Sequence, residues 1–192
     1  MICQVSLPRS TTMTTSYYTA TSLDGYIADQ NNSLDWLMAV ADADTATSDV
    51  DDFLTGVGAM CMGATTYEWM AANNPPEYWP DNYGDRPCWV FTHRDLPPIP
   101  GANLRFVAGD VRPIHTQMTE AAADRDIWIV GGGELTGQFA DAGLLDEVIV
   151  GITPVTLGAG APLLPRRILS DRMRLVEVEQ MGQFAKLAYR LD

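Results

Sequence analysis

The segment that decides the fold is Ile127-Trp-Ile-Val-Gly131-Gly-Gly-Glu-Leu135, in which three consecutive glycines follow four apolar residues. The apolar run is typical of a fully buried strand, and the residues from Glu134 onward favour the start of an amphipathic helix. Glycine lets the backbone approach a ligand closely, and the free N–H groups of a helix N-terminus attract an anion. The segment therefore predicts a nucleotide phosphate site at a strand-to-helix turn. The alternative is a tight turn needed only for packing, because the glycines are not spaced as in the dinucleotide-binding fingerprint.

Alternating strand and helix patterns occupy most of the chain. The apolar patterns predict strands over 17–21, 57–62, 87–92, 103–107, 127–130 and 146–153, and helices over 33–37, 48–54, 67–72, 111–123 and 134–140. Ser48 is the predicted N-cap of its helix, Pro113 is expected to break another early, and 73–84 is expected to be a loop. Segments 173–181 and 184–191 alternate as a hairpin around Gly182. This order predicts an α/β fold with one mixed, mostly parallel sheet flanked by helices and a C-terminal antiparallel hairpin.

Length and composition limit the classes of function. The 192 residues suffice for one domain, and 46% hydrophobic residues argue against disorder. We expect residues 1–13 to form a flexible tail before a single domain over 14–192. The formal net charge of −13 disfavours binding to nucleic acids and to anionic membranes, so we expect a small-molecule substrate. Cys3, Cys61 and Cys88 form no metal spacing and cannot all pair, which favours a reducing cytoplasm and no metal site.

Two further turns have the composition of ligand-binding loops. Gly63 permits close backbone approach, and Thr65 and Thr66 offer hydroxyl and helix-start N–H groups to a phosphate. His93 and Arg94 follow another predicted strand and could bind a phosphate by charge-assisted hydrogen bonds. Because ligands of open α/β sheets bind beyond the carboxyl ends of the strands, the three turns together favour nucleotide binding. Separately, an ordinary N-cap at Thr66 and a surface turn at Arg94 remain alternatives.

These segments carry a family resemblance over residues 16 to 190. The chain resembles the dihydrofolate reductase superfamily, and within it the branch that includes the C-terminal reductase domain of bacterial riboflavin biosynthesis. The matching segments, in the family's order, are Ala20-Thr-Ser-Leu-Asp-Gly-Tyr-Ile-Ala28, Asp35-Trp36, Met62-Gly-Ala-Thr-Thr-Tyr67, Val130-Gly-Gly-Gly133, Leu145-Asp-Glu147 and Thr153-Pro-Val-Thr-Leu-Gly158.

The resemblance implies a dihydrofolate reductase-like fold and an NADPH-dependent reductase, with NADH as the alternative cofactor. It implies a homodimer as well. The family's cofactor positions fall on a pyrophosphate cradle, a second phosphate turn, a turn for the adenosine ribose and its 2′-phosphate, and a nicotinamide lining. In that order the residues are Gly131, Gly132, Gly133, Glu134 and Leu135; Gly63, Thr65 and Thr66; Thr92, His93 and Arg94; and Ala20 and Ile27. The substrate would lie near Asp24 and Trp36.

Four positions depart from the family pattern. Ala64 stands where the second phosphate turn usually carries arginine, so Arg94 or His93 would have to supply the charge. The folate enzymes' helix carboxylate falls at Ala41, beside Asp42, and their accompanying threonine becomes Gly151, which disfavours dihydrofolate as substrate. Tyr26 replaces the basic residue that suits a substrate phosphate in the riboflavin branch.

The sequence hypothesis is hydride transfer to a small planar heterocycle, pteridine- or pyrimidine-like, or to a carbonyl compound. Asp24 is the candidate proton donor, directly or through a water, although an aspartate in a turn is commonly structural. Trp36, Tyr67 and Trp79 could stack on a flat substrate or could pack in the core. The rival hypothesis is a nucleotide- or flavin-binding module that retains the fold without turnover.

Overall fold

The computed structural model describes residues 13–41 and 43–192, without the side chains of 43–47. The N-terminal tail expected over 1–13 therefore falls almost entirely outside the described residues and stays a prediction, as does any role of Asp42. In chain order the elements are β1 (Thr15–Thr21), β2 (Tyr26–Ala28), α1 (Asp35–Met38), α2 (Ala43–Leu54), β3 (Val57–Gly63), α3 (Ala64–Asn73), α4 (Tyr78–Tyr83), β4 (Cys88–Phe91), β5 (Leu104–Val107), α5 (Val111–Ala122), β6 (Asp126–Gly131), α6 (Gly133–Asp141), β7 (Glu147–Ile152), β8 (Ala161–Pro162), β9 (Met173–Met181) and β10 (Phe184–Leu191).

Eight strands form one sheet in the order β5-β4-β3-β6-β1-β7-β10-β9. The first six run parallel, whereas β10 is antiparallel to both β7 and β9. Strands β2 and β8 pair separately as a small antiparallel ribbon. The predicted fold class, a mostly parallel α/β sheet with a C-terminal antiparallel hairpin, is confirmed.

The sheet buries both of its faces against helices. One face packs against α5 and α6 through side chains such as Met118 and Phe139. The other packs against α2, α3 and α4 through Leu54, Met70 and Trp79. Consecutive strand residues point to opposite faces, so the neighbouring tyrosines of β1 enter different cores. Tyr17 belongs to the first and Tyr18 to the second.

Three elements on the α2–α4 face differ from the sequence prediction. Helix α3 begins at Ala64, immediately after β3, so the threonines expected in a turn lie in the helix's first turn. The expected loop 73–84 contains α4, whose Trp79 and Tyr83 are buried. Helix α2 begins at Ala43, so Ser48 lies inside the helix and the prediction that it caps the N-terminus was wrong.

Pro113 does not break α5, contrary to the sequence prediction. It is the third residue of the helix, where its missing N–H has no intrahelical partner to lose. Asp110 precedes the helix, and its Oδ1 accepts a hydrogen bond from the N–H of Arg112 at 2.9 Å. The proline therefore lies where a helix tolerates it best. Among the described residues, no helix combines the length and apolar character needed to cross a membrane.

Candidate active site

A cavity of about 770 Å³ opens at the carboxyl edge of the parallel strands. Its lining comes from β1, β6 and β7, from the first four helices, and from the segment 161–165. Ala20 and Gly151 are register partners in β1 and β7, and both line the cavity. Two small residues side by side leave the backbone of the sheet open to a ligand at this point.

The glycine turn forms one wall of the cavity. Gly131, Gly132 and Gly133 all line it, and the peptide bond between Gly131 and Gly132 is cis. A Cβ on Gly133 would lie 2.3 Å from the carbonyl oxygen of Pro162, a distance no side chain tolerates. Gly133 therefore lets helix α6 begin directly against the 162–163 backbone.

Two helix N-termini meet at this wall. Strands β3 and β6 are neighbours, and the helices that follow them, α3 and α6, begin at Ala64 and Gly133. Their N-caps are Gly63 and Gly132, and neither provides a side-chain cap. Thr65 and Thr66 of α3 line the cavity too. First-turn N–H groups without a capping side chain remain available to an anion, so this corner can hold phosphate oxygens.

Arg166 ties the segment after β8 to helix α6. Its guanidinium bonds both carboxylate oxygens of Glu134, at 2.7 and 3.0 Å, and Oδ2 of Asp141 at 2.7 Å. A Cβ on Gly137 would lie 2.6 Å from the guanidinium carbon, so the arginine lies flat on the helix at that residue. The Arg166 hydrogen bonds lower the pKa of Glu134. Glu134 lines the cavity as an already paired carboxylate.

The turn after β4 lies at the same sheet edge but outside the cavity lining. Thr92 Oγ1 accepts a hydrogen bond from the N–H of Arg94 at 2.9 Å, and His93 is exposed. The Arg94 guanidinium binds both carboxylate oxygens of Glu68 on α3, each at 2.8 Å. The expected cation of the cofactor site is thus held against an acidic partner. Leu135, also expected to contact the cofactor, is buried in the core instead of lining the cavity.

Asp24 connects two loops in this structure. Its carboxylate accepts hydrogen bonds from the Ser22 hydroxyl at 2.6 Å and from the N–H groups of Leu157 and Gly158 at 3.1 and 2.7 Å. The Ser22 hydroxyl contributes most to a pKa held below its ordinary value, and the backbone N–H groups add to it. Asp24 does not line the cavity. An ionised carboxylate with three donors is a poor proton source, so the geometry favours the structural alternative.

Two expected substrate contacts also lie outside the cavity lining. Tyr67 is buried, and its hydroxyl donates to the carbonyl of Pro97 at 2.7 Å while accepting from the N–H of Ile99 at 3.0 Å. Trp36 is half-buried, and its Nε1 donates to the carbonyl of Ser33 at 3.2 Å. The short helix α1 instead turns Leu37 and Met38 to the cavity.

A polar cluster beside the cavity escaped sequence reasoning. Tyr18 lines the cavity, and its hydroxyl donates a short hydrogen bond to Oδ2 of Asp49 on α2. Lys186 of β10 donates to the other oxygen of the same carboxylate at 2.7 Å. The three residues are far apart in sequence, and only the packing of α2 against β1 and β10 brings them together. The one local signal was the adjacent Tyr17–Tyr18 pair, which strand alternation must split between the two faces.

No group of three or more metal-binding side chains occurs within residues 13–41 and 48–192, whose side chains the structure describes. Cys61 and Cys88 are free and buried in these ranges, on opposite faces of the sheet. Burial raises the pKa of both thiols. Neither is placed as a nucleophile.

Solved structures with this architecture define the class of fold. A Shewanella sp. PV-4 protein ascribed to riboflavin biosynthesis superposes with a TM-score of 0.78 at 24% identity, over 94% of this chain and 99% of its own. Dihydrofolate reductase from Enterococcus faecalis, solved with NADP(H), superposes with a TM-score of 0.58 at 15% identity, over 93% and 96% of the two chains. The fold is that of dihydrofolate reductase.

Sequence comparison gives the family within this fold. The RibD C-terminal domain family matches residues 15–187, and the chain belongs to that family. The Bacillus subtilis protein YwjB, itself uncharacterized, is 32% identical over 176 residues, which cover 91% of this chain and 96% of YwjB. The riboflavin biosynthesis protein RibD of Haemophilus influenzae is 29% identical over 113 residues, covering 54% of this chain and 30% of RibD. The resemblance predicted from the sequence is confirmed.

Proposed function

We propose that this protein is an NADPH-dependent reductase that transfers a hydride to a small planar heterocycle or carbonyl compound. The observation that carries the proposal is the meeting of two uncapped helix N-termini, those of α3 and α6, at the wall of a largely apolar cavity. Such a corner suits the pyrophosphate of a dinucleotide, and the apolar cavity beside it suits a nicotinamide and a flat substrate. Membership of the RibD C-terminal domain family supports the same activity.

The proposed cofactor would lie along the carboxyl edge of the sheet. The pyrophosphate would contact Gly63, Thr65, Thr66 and the turn from Gly131 to Glu134. The nicotinamide would lie over Ala20 and Ile27, next to the open backbone at Gly151. The adenosine 2′-phosphate would meet the turn Thr92-His93-Arg94, provided that Arg94 exchanges Glu68 for the phosphate.

When bound, the cofactor supplies the hydride, and the protein binds, orients and excludes water. Trp69 and Trp128 line the cavity and offer flat apolar surfaces to a ring. Ala20 and Gly151 place nothing larger than a methyl group between the sheet and a nicotinamide ring that lies on it. A substrate stacked in this way would hold its reacting atom against the nicotinamide.

One observation favours the alternative hypothesis that the protein binds a nucleotide without catalysing a reaction. Among the described lining residues, Glu134 is the only carboxylate, and Arg166 already binds it. A site without a free acid binds a dinucleotide readily but has to take the substrate's proton from water. The proposal of a homodimer rests on the resemblance, and exposed Leu175 and Val178 on the edge strand β9 support it. The proposal of a cytoplasmic location rests on the cysteines, which suit a reducing compartment.

Deuterium transfer tests the proposal and separates it from this alternative. The protein is incubated with NADPH deuterated at C4 of the nicotinamide and a panel of neutral aldehydes, ketones and pteridines, in which the deuterium can be retained on carbon, and the products are analysed by mass spectrometry. We expect deuterium in at least one product, with slower turnover in Thr66→Val, which keeps the shape of the side chain but loses the hydroxyl. Thr116→Val on the exposed face of α5 is the matched control. NADPH binding without any transfer would favour the non-catalytic module.

A further inference from the structure

The cavity offers no unpaired charge to a ligand. Among its described lining residues there is no lysine, arginine, histidine or aspartate, and Glu134 is neutralised by Arg166. Aromatic and sulphur-containing side chains make much of the surface, including Trp69, Trp128 and Phe184. Away from the corner where α3 and α6 begin, an ionised group that enters such a space loses its hydration and gains no counter-ion.

Two cations paired with groups beside the cavity are already neutralised. Arg166 binds Glu134 and Asp141, and these hydrogen bonds raise the pKa of its guanidinium. Lys186 lies 2.7 Å from Asp49, with carboxylate oxygens of Glu177 at 3.5 Å and Glu179 at 3.7 Å. Recruiting Lys186 to a substrate phosphate would leave the partly buried carboxylate of Asp49 without its cation, and recruiting Arg166 would break its hydrogen-bonded ion pairs with Glu134 and Asp141.

Burial by itself lowers the pKa of Lys186, but the hydrogen bond and charge of Asp49, reinforced by Glu177 and Glu179, outweigh it and raise the pKa. Lys186 therefore stays charged and stays committed to Asp49. The Lys186 ammonium holds the Asp49 carboxylate in place, and that carboxylate accepts the hydrogen bond of the Tyr18 hydroxyl.

Tyr18 is the residue of this cluster that lines the cavity. Its proton is committed to Asp49, so the phenolic oxygen has only its acceptor capacity left for a ligand. Burial, with the Asp49 hydrogen bond and charge, raises the pKa of Tyr18, which keeps the hydroxyl protonated at neutral pH. The ring is held edge-on by Phe53 at 5.1 Å between centroids, and Trp128 Nε1 donates to the Tyr18 carbonyl at 3.1 Å.

We propose that the substrate of this site is a neutral planar ring that donates an N–H or O–H to Oη of Tyr18, and that phosphate esters are rejected. The inference rests on the proposed function only in treating this cavity as the substrate compartment. The proposal distinguishes this chain from enzymes whose substrate carries a phosphate. It attributes the preference for a neutral ring to the Tyr18–Asp49–Lys186 cluster, whose charges are already paired, and to the lack of an unpaired cation among the described lining residues.

Binding of three related rings tests the charge selectivity. Lumichrome, riboflavin and FMN share the fused ring system, and riboflavin and FMN differ only in the phosphate. Dissociation constants are measured by quenching of tryptophan fluorescence in the presence of saturating NADP⁺, the oxidised cofactor, which would occupy the phosphate corner where α3 and α6 begin. We expect FMN to bind at least about tenfold more weakly than riboflavin, since its phosphate finds no counter-ion. FMN binding as tightly as riboflavin would overturn the proposal.

A second set of titrations, in which both the protein and the ligand are varied, tests the acceptor role of Tyr18. Lumichrome has two ring N–H donors, and its 1,3-dimethyl derivative has none. Tyr18→Phe should weaken lumichrome about tenfold, the loss expected for one hydrogen bond, and leave the dimethyl derivative unchanged. Equal effects of the substitution on both compounds would contradict the proposal.

Two controls keep the outcomes apart. Tyr189→Phe removes a hydroxyl outside the cavity lining and should change neither affinity. If Tyr18→Phe does not fold, as circular dichroism would show, the riboflavin–FMN comparison on the wild-type protein still decides the charge selectivity. Ring binding with this selectivity but no NADPH binding would sink the reductase proposal and leave this inference standing.

Discussion

Two parallel hydrogen bonds of 2.8 Å join the guanidinium of Arg94 to the carboxylate of Glu68. They connect the turn after β4 with helix α3, which begins at the proposed phosphate corner. Both side chains are about half exposed, so the pair contributes little to stability. The same exposure lets Arg94 exchange Glu68 for a ligand phosphate.

This pairing predicts how cofactor preference responds to substitution. Arg94→Ala should weaken NADPH on the order of tenfold and leave NADH unchanged, because only NADPH has the 2′-phosphate. Glu68→Gln should tighten NADPH, since it removes the competing carboxylate. Titrations of both dinucleotides with each variant measure these effects. Arg112→Ala, which breaks the comparable exposed pair with Asp110, is the control, and a loss of NADH affinity in Arg94→Ala would contradict the assignment.

Asp24 should prove structural. Asp24→Ala removes the acceptor for Ser22, Leu157 and Gly158 and should lower the melting temperature, while Asp24→Asn keeps one acceptor oxygen and should lower it less. Once a substrate is known, both variants should keep the wild-type pH profile of kcat. A wild-type kcat that falls with rising pH, and that loses this fall in Asp24→Asn, would instead restore Asp24 as the proton donor.

Tyr67 should matter for stability and leave substrate binding unaffected. Tyr67→Phe removes two hydrogen bonds, one to the carbonyl of Pro97 and one from the N–H of Ile99, which together should cost about 1–3 kcal/mol in the free energy of unfolding. Urea denaturation measures the loss, and Tyr189→Phe serves as the matched control. A raised KM with unchanged stability would show that the ring contacts substrate after all.

His115 should make the stability depend on pH. Burial lowers the pKa of His115 below its ordinary value of 6.5, against the opposing charge of Asp146, and Nε2 lies 2.9 Å from the Thr15 hydroxyl. Below pH 6.5 the unfolded chain therefore binds the proton more readily than the folded one. The stability that His115 contributes is present above pH 6.5 and is lost as the pH falls through the folded pKa.

The measurement is the urea midpoint at pH 7 and pH 5. His115→Gln should reduce the difference in urea midpoint between pH 7 and pH 5, because it removes the titrating ring. His93→Gln, which changes an exposed histidine, should retain the wild-type decrease. An unchanged decrease in His115→Gln would show that other groups control stability in this range.

The fold was predictable where the pattern is local. The apolar run before Gly131 and the hairpin around Gly182 are strong short-range signals, and both elements form as predicted. Errors occurred where tertiary packing decides. Trp79 and Tyr83 gain enough burial to make a helix of a segment rich in turn residues, and Pro113 is harmless because of where its helix begins.

Only the backbone features of the candidate site could be predicted from the sequence. Glycines at a strand end identify a close approach whatever packs around it, and the turn after β6 does line the cavity. Side-chain roles depend on long-range partners that the sequence does not show. Tyr67 turns to Pro97 and Ile99, whereas Tyr18 meets Asp49 and Lys186 from separate elements.

The most direct test of the proposed reductase function is titration of the purified protein with NADPH and NADH, followed by tryptophan fluorescence. Trp69 and Trp128 line the cavity, so a dinucleotide bound there should quench them. We predict saturable quenching by NADPH that Arg94→Ala weakens, with weaker binding of NADH. No saturable binding of either dinucleotide would contradict the proposal and leave the fold with a different ligand.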